Sequence, residues 1–256
     1  RPFFIATGFV RPHYPSVAPA VYFEDYPISK IKAPHVPEGD WDDMPKVATT
    51  GSTSQFFGID QYPDNIKQMW SDYYATVTFM DMQLSKVMAE LDRQGLRDTT
   101  LVIFTSDHGY HLGEHHFWQK SRFHEEVTRV PFLVSAPGFE TGRTMSLVEL
   151  MDIYPTACDL LGLEIPATVQ GQSLRPVLQD PGAAVREAAF SLDRRKGQSI
   201  RTERWAYMRY KDGSEELYDM VADPGQFANL AGSVEAAGRK AELEKMLKEK
   251  VALAVE

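Results

Sequence analysis

A chain of 256 residues that is 43% hydrophobic and 25% charged has ordinary globular composition and enough length for a sizeable core, as one large domain or two smaller ones. Its 27 Lys and Arg against 36 Asp and Glu give a net charge of −9, which argues against nucleic acid as a partner and means that an anionic substrate would need a local cationic pocket. The single cysteine, Cys158, excludes an intrachain disulfide and a Cys-rich zinc site, and no apolar run approaches the roughly 20 residues of a membrane span. The chain opens Arg1-Pro2 and goes straight into Phe3–Thr7, which reads as a strand. Prolines 12 and 15 make the next stretch a loop. Residues 16–62, with five more prolines and Gly39, Gly51 and Gly58, read as a long irregular excursion with short helices at most, either of the kind that covers a site or faces substrate, or a partly disordered wrap around a partner half.

Asp64–Gln94 is predicted to be the long helix. Ile66, Met69, Tyr73, Val77, Met80, Leu84, Val87 and Leu91 recur at three and four, Asp64 stands where a cap belongs, and Gly95 stops it. Thr100–Thr105 is an apolar, β-branched run that suits a parallel strand covered on both faces, and the helix before it makes a βαβ-like unit. Val130–Ser135 is the next strand and Met151–Leu161 the next helix, with Pro155 in its first turns. After a loop over 166–178 come four short strand-like runs, Glu187–Asp193, Gln198–Thr202, Trp205–Tyr210 and Glu216–Asp219, separated by charged or Gly-containing turns. They predict a separate antiparallel sheet. A final helix runs from Ser233 to about Ala254, with Glu244 and Lys248 paired at i, i+4.

The chemistry concentrates after the Thr100–Thr105 strand. Ser106-Asp107-His108-Gly109 sits where the strand hands over to a loop, and the carboxyl ends of strands are where open α/β sheets bind ligands. An acid and an imidazole there can hold a cation or move protons, or simply form a turn.

The run Thr105-Ser-Asp-His-Gly-Tyr-His-Leu-Gly-Glu-His115, followed by Trp118-Gln-Lys120, resembles the type I sulfatases of the alkaline-phosphatase superfamily, and within them the iduronate-2-sulfatase and choline-sulfatase branch. Arg11-Pro-His-Tyr-Pro15, Tyr74–Asp81, Arg129–Val134 with Pro137-Gly138, Asp152-Ile-Tyr-Pro-Thr156, Gly171-Gln-Ser-Leu174, Glu216-Leu-Tyr-Asp219 and Asp223-Pro224 follow the same family order. The resemblance implies an α/β, alkaline-phosphatase-like sheet with flanking helices over residues 1–180, and a small antiparallel-sheet subdomain with a terminal helix over 181–256. Family members are about twice this long, so the chain is expected to be the C-terminal half of one.

The resemblance also implies roles. Asp107 and His108 match the family's second pair of metal ligands, for Ca²⁺ rather than Mg²⁺; a carboxylate suits such hard cations, an imidazole less so. Lys120 matches the lysine on the sulfate, and His13 the general acid toward the leaving oxygen. Arg11, His115 and His124 are candidates for contacting substrate, a sulfated small molecule or saccharide. The family nucleophile, a formylglycine made from Cys or Ser in Cys/Ser-x-Pro-x-Arg, has no source here. Cys158 stands in Cys-Asp-Leu-Leu-Gly, and Ser135-Ala-Pro-Gly-Phe139 has Phe where Arg is required. The nucleophile and the other metal ligands are therefore expected in an N-terminal half that would be this chain's first partner. Gln226 replaces a usual Glu, so an ion pair is expected to be missing there. The competing readings are a phosphodiesterase or phosphonate hydrolase of the same superfamily, and a non-catalytic binding module with the same fold.

Overall fold

The computed structural model describes residues 1–253, and its packing divides them into two units. One comprises Arg1–His35, Ser52–Thr99 and Leu112–Trp118; the other comprises Val36–Gly51, Thr100–His111 and Gln119 onward. The packing thus cuts the chain elsewhere than at 180/181.

The first unit is built on helix α1, Asn65–Arg93. Its buried positions are small residues, Ser71, Ala75 and Thr76; the larger residues of the predicted stripe are half-buried around them, except Val87, which is exposed. Small side chains let the preceding loop lie close. Ser71 Oγ donates to the Tyr26 carbonyl at 2.6 Å, the Tyr26 hydroxyl meets Thr78 Oγ1 at 2.6 Å, and the rings of Tyr22 and Tyr26 pack at a tilt against Phe79 and Tyr74. Asp64 precedes the helix but makes no side-chain cap, because its own backbone is already helical rather than extended. Phe3–Thr7 forms no strand; Phe4 and Ile5 are 92% and 71% exposed, and an extended segment becomes a strand only when a neighbour takes its backbone hydrogen bonds.

In the second unit, β1 (Val102–Thr105) leads to the one-turn helix α2 (Glu125–Thr128) and to β2 (Phe132–Ser135). The strands pair antiparallel, Val102 opposite Ser135 and Thr105 opposite Phe132, so the expected parallel arrangement does not occur between them. An apolar run specifies burial but not direction, and here the chain reverses through the long connection over 106–131.

Helix α3 (Ile153–Leu160) carries Asp152 at its start, fully buried. Asp152 accepts from the backbone of Glu149 at 2.7 Å and of Gln172 at 2.9 Å, and pairs with Arg186. Thr156 Oγ1 accepts from Leu174 N at 2.9 Å. These bonds dock the Gly171-Gln-Ser-Leu turn onto the Asp152–Thr156 turn. Gly171 is needed for the approach, since a Cβ there would lie 2.1 Å from the Met151 carbonyl oxygen.

Strands β3 (Ala188–Asp193), β4 (Gly197–Thr202), β5 (Trp205–Tyr210) and β6 (Glu215–Asp219) form the predicted antiparallel sheet in sequential order. Alternation on β5 and β6 feeds two cores. Ala206, Met208, Tyr210 and Tyr218 face one with Phe123 and Ala48. Tyr207, Leu217 and Ile200 face the other, closed by Leu243 and Leu247 of helix α4 (Ala237–Leu253). Glu244 and Lys248 pair at 2.8 Å as predicted, and Ala254 lies outside the described residues. Among the described residues no helix is long and apolar enough to cross a membrane.

Candidate active site

β1 ends at Thr105, and the Asp-His-Gly loop follows, locked by its own atoms. Ser106 Oγ donates to the His108 carbonyl at 2.8 Å, and His108 Nδ1 lies 2.8 Å from the Gly109 carbonyl oxygen. A carbonyl only accepts, so Nδ1 carries the hydrogen, and in the neutral ring Nε2 presents its lone pair. That Nε2 is 3.6 Å from Asp107 Oδ2. Asp107 is 85% exposed at its side chain and His108 26%.

The loop is stapled to α2 by two backbone bonds. Gly109 N donates to the Val127 carbonyl and Tyr110 N to that of Glu126, each at 2.7 Å. Gly109 is required by the close approach of α2. A Cβ would sit 2.0 Å from the Glu126 carbonyl oxygen.

Asp107, His108 and Lys120 line one trough of about 1850 Å³ in the second unit, together with Arg122, Glu125 and Gln226. Arg122 was not legible as a site residue. It is 5% exposed, its Nη1 and Nη2 donate to the carbonyls of Ser121 and Thr50 at 2.8 Å each, and burial lowers its pKa, opposed by Tyr210 and Glu216. It adds a braced cation two residues beyond Lys120.

The separation of Asp107 Oδ2 and His108 Nε2 lies within reach of one cation held at about 2.3–2.6 Å from each. A metal-ligating histidine typically ties its other nitrogen to a carbonyl, as His108 does. The pair therefore fits two positions of a cation shell. Among the described residues no group of three or more His, Cys, Asp or Glu is placed to hold a metal.

His13 and Arg11 belong to the first unit. His13 is exposed, with Nδ1 2.6 Å from the Tyr14 carbonyl oxygen. Arg11 commits Nε to the Val17 carbonyl and Nη1 to that of His13, both at 2.9 Å. His115, also of that unit, is fully buried, with φ +53 and its ring against Phe117. The loop around it is anchored by Trp118, whose Nε1 donates to Ser54 Oγ at 2.6 Å.

His124, another candidate for contacting substrate, is fully buried and absent from the trough wall. Its Nε2 is 3.1 Å from Glu216 Oε2, a carboxylate that is itself fully buried. Gln226, where an ion pair was expected to be missing, accepts the Glu125 backbone N–H on Oε1 at 2.8 Å.

A family model described as Sulfatase matches residues 1–163, and one described as N-sulphoglucosamine sulphohydrolase, C-terminal, matches residues 113–253. An N-acetylglucosamine-6-O-sulfatase of Bacteroides thetaiotaomicron is 36% identical over 200 residues, 72% of this chain and 36% of that protein. The solved phosphonate monoester hydrolase of Silicibacter pomeroyi superposes with a TM-score of 0.83 at 29% identity, over 94% of this chain and 54% of its own. A protein solved in complex with its substrate, D-glucosamine-2-N,6-O-disulfate, superposes with a TM-score of 0.70 at 29% identity, over 77% of this chain and 44% of its own. The chain spans about half the length or less of the curated relatives it matches. With most of its length matched by the first model, and with neighbours of the alkaline-phosphatase-like fold, the chain belongs to the sulfatase family.

Proposed function

We propose that this chain supplies the Asp-His and lysine side of a sulfatase site that cleaves sulfate esters of a sulfated saccharide. One observation carries the reading. Asp107, His108 and Lys120 line a single trough, and the His108 Nδ1–Gly109 contact turns a lone pair of His108 toward the Asp107 carboxylate. Asp107 and His108 would hold a Ca²⁺, which neutralises charge on the sulfuryl oxygens. Lys120 places an ammonium on those oxygens, where charge builds in the transition state. By the family resemblance, His13 is the donor of the proton to the leaving oxygen. Arg11, through its bonds to the Val17 and His13 carbonyls, stiffens the His13 loop rather than reaching for substrate. His115 and His124, both fully buried, act as internal supports.

A formylglycine nucleophile would come from polypeptide beyond these residues, because neither Cys158 nor any serine here stands in the required motif. The 256-residue chain alone is therefore expected to turn over neither aryl nor sugar sulfates. The saccharide class rests on the glucosamine derivatives named for two relatives. A second reading, phosphonate monoester hydrolysis, is favoured by the superposition with the Silicibacter pomeroyi enzyme.

The test is hydrolysis by the longer polypeptide that contains this chain, with Ca²⁺, on glucosamine 6-sulfate and on a phosphonate monoester. The sulfate should be the better substrate, and Lys120→Ala should lower its kcat about 10²–10³-fold, the cost of one donor at a developing oxyanion. Preference for the phosphonate would establish the second reading, and an unchanged rate in Lys120→Ala would remove the lysine from the site.

A further inference from the structure

The helix α2 is a single turn, too short to hold itself. Yet the Asp107–His108 loop hangs on it through the Gly109 and Tyr110 amides. What holds α2 lies on the C-terminal sheet and the turn after it. Gln226 Oε1 accepts the Glu125 N–H at 2.8 Å, one of the donors a helix start leaves without an internal partner. Arg201 of β4 pairs with the Glu125 carboxylate at 2.7 Å. His124, immediately before the turn, meets Glu216 of β6 at 3.1 Å.

Glu216 is the hub of this arrangement. Its Oε1 accepts from the Tyr210 hydroxyl and its Oε2 from the Tyr218 hydroxyl, each at 2.7 Å. Burial pushes its pKa up, but His124 and the two phenols outweigh burial and hold the carboxyl below its ordinary value. Burial and the same carboxylate push both phenols above theirs, so they remain donors. The ring of His111, on the far side of the Asp-His-Gly loop, packs 5.8 Å from that of His124, and its Nδ1 lies 3.9 Å from Glu126 of α2. A fully buried carboxylate is costly beside an apolar core of the same shape, but it fixes direction in a way that apolar packing does not.

We propose that Glu216 and Gln226 are positioning residues of the site. The C-terminal sheet sets the orientation of α2, and α2 sets the Asp107–His108 pair. This rests on the reading of that pair as part of the active site. Glu216 does not line the trough, Gln226 is only 1% exposed where it reaches the wall, and both act through the two amide bonds of the loop.

The test is residue-resolved amide hydrogen exchange on the 256-residue chain, with Gln226→Leu, Glu216→Gln and the conservative Gln226→Glu. Gln226→Leu should speed exchange at Gly109 and Tyr110 at least about tenfold relative to Tyr207 and Met208 of β5, and Gln226→Glu should restore protection. Glu216→Gln should act in the same direction; if it does not fold, the two Gln226 variants decide. Exchange that rises equally at all four amides, or not at all at Gly109 and Tyr110, overturns the proposal. In the longer polypeptide, Gln226→Leu should lower kcat for sulfate release and Gln226→Glu should recover it. Absence of sulfate release from the unmutated polypeptide would sink the functional reading alone, while the exchange ratios would still decide whether the brace exists.

Discussion

The two sheets of the second unit carry opposite loads. The β1–β2 pair has no fully buried side chain: its four β1 residues are half-buried, and Leu133 of β2 is 58% exposed. The central strands of the four-stranded sheet are covered on both faces, with Tyr207, Met208, Leu217 and Tyr218 fully buried. The candidate ligands Asp107 and His108 nevertheless follow the weaker pair. A two-stranded element is marginal on its own, so the geometry of the loop depends on its staple to α2 and, through α2, on the stronger sheet. Stability and site geometry are thus supplied from the same place, and substitutions there should separate the two.

The largest separation should come from the core. Leu243→Ala removes a fully buried side chain beneath the sheet and should cost about 2–5 kcal/mol, whereas Leu133→Ala should stay within about 0.5 kcal/mol. Urea midpoints compare them directly, and equal shifts would mean that the β1–β2 pair is as tightly built as the sheet.

Next comes the hub. Glu216→Gln should cost about 1–3 kcal/mol at pH 7, since it replaces a buried carboxylate that meets His124 and accepts from two phenols. The folded pKa of Glu216 lies below that of an unfolded glutamate, about 4.3. Its contribution is therefore present above that value and is lost as pH falls through the folded one. The difference between Glu216→Gln and the unmutated chain should accordingly be greatest at pH 6–7 and shrink below pH 4. A difference constant with pH would mean that the charge contributes nothing.

The smallest effect has the opposite sign. Lys196, at the turn between β3 and β4, has its pKa lowered to about 8 by burial and by the neighbouring Arg122, against the pull of Asp193 and Glu216. Below pH 8 the amine is charged in both the folded and the unfolded chain, so the folded state bears the full penalty. As pH rises from 8 toward the unfolded value of about 10.4, the folded amine loses its proton first and the penalty fades. Lys196→Met should raise stability at pH 7 by on the order of 1 kcal/mol, allowing for solvent screening of a part-exposed side chain, and the gain should vanish above about pH 10.5. Thermal melts at pH 7 and pH 10.5 measure both points.

Local pattern made part of this legible. The four strands of the C-terminal sheet stand out as short strand-like runs between charged or Gly-containing turns, and the Asp107–Lys120 run is dense enough to identify a family. What the pattern could not carry was pairing and distance. Phe3–Thr7 has the composition of a strand but takes no partner, and the apolar run at Thr100–Thr105 does not encode the antiparallel direction of its neighbour. His124 reads as a candidate for substrate until its carboxylate, on a strand far along the chain, is seen to bury it. Gln226 reads as a lost ion pair, yet its amide oxygen caps a helix start 101 residues away. Glu216-Leu-Tyr-Asp219 reads as a family motif, but nothing local to it shows that Glu216 is buried against His124, Tyr210 and Tyr218.

The central claim is that Asp107 and His108 belong to a sulfate-ester hydrolysing site. The direct measurement is Ca²⁺ titration calorimetry and sulfate release on this chain joined to a sulfatase N-terminal half, unmutated and as Asp107→Ala. The account predicts that Ca²⁺ binding weakens at least about tenfold and that sulfate release falls with it. Unchanged Ca²⁺ affinity and unchanged sulfate release in Asp107→Ala would contradict it.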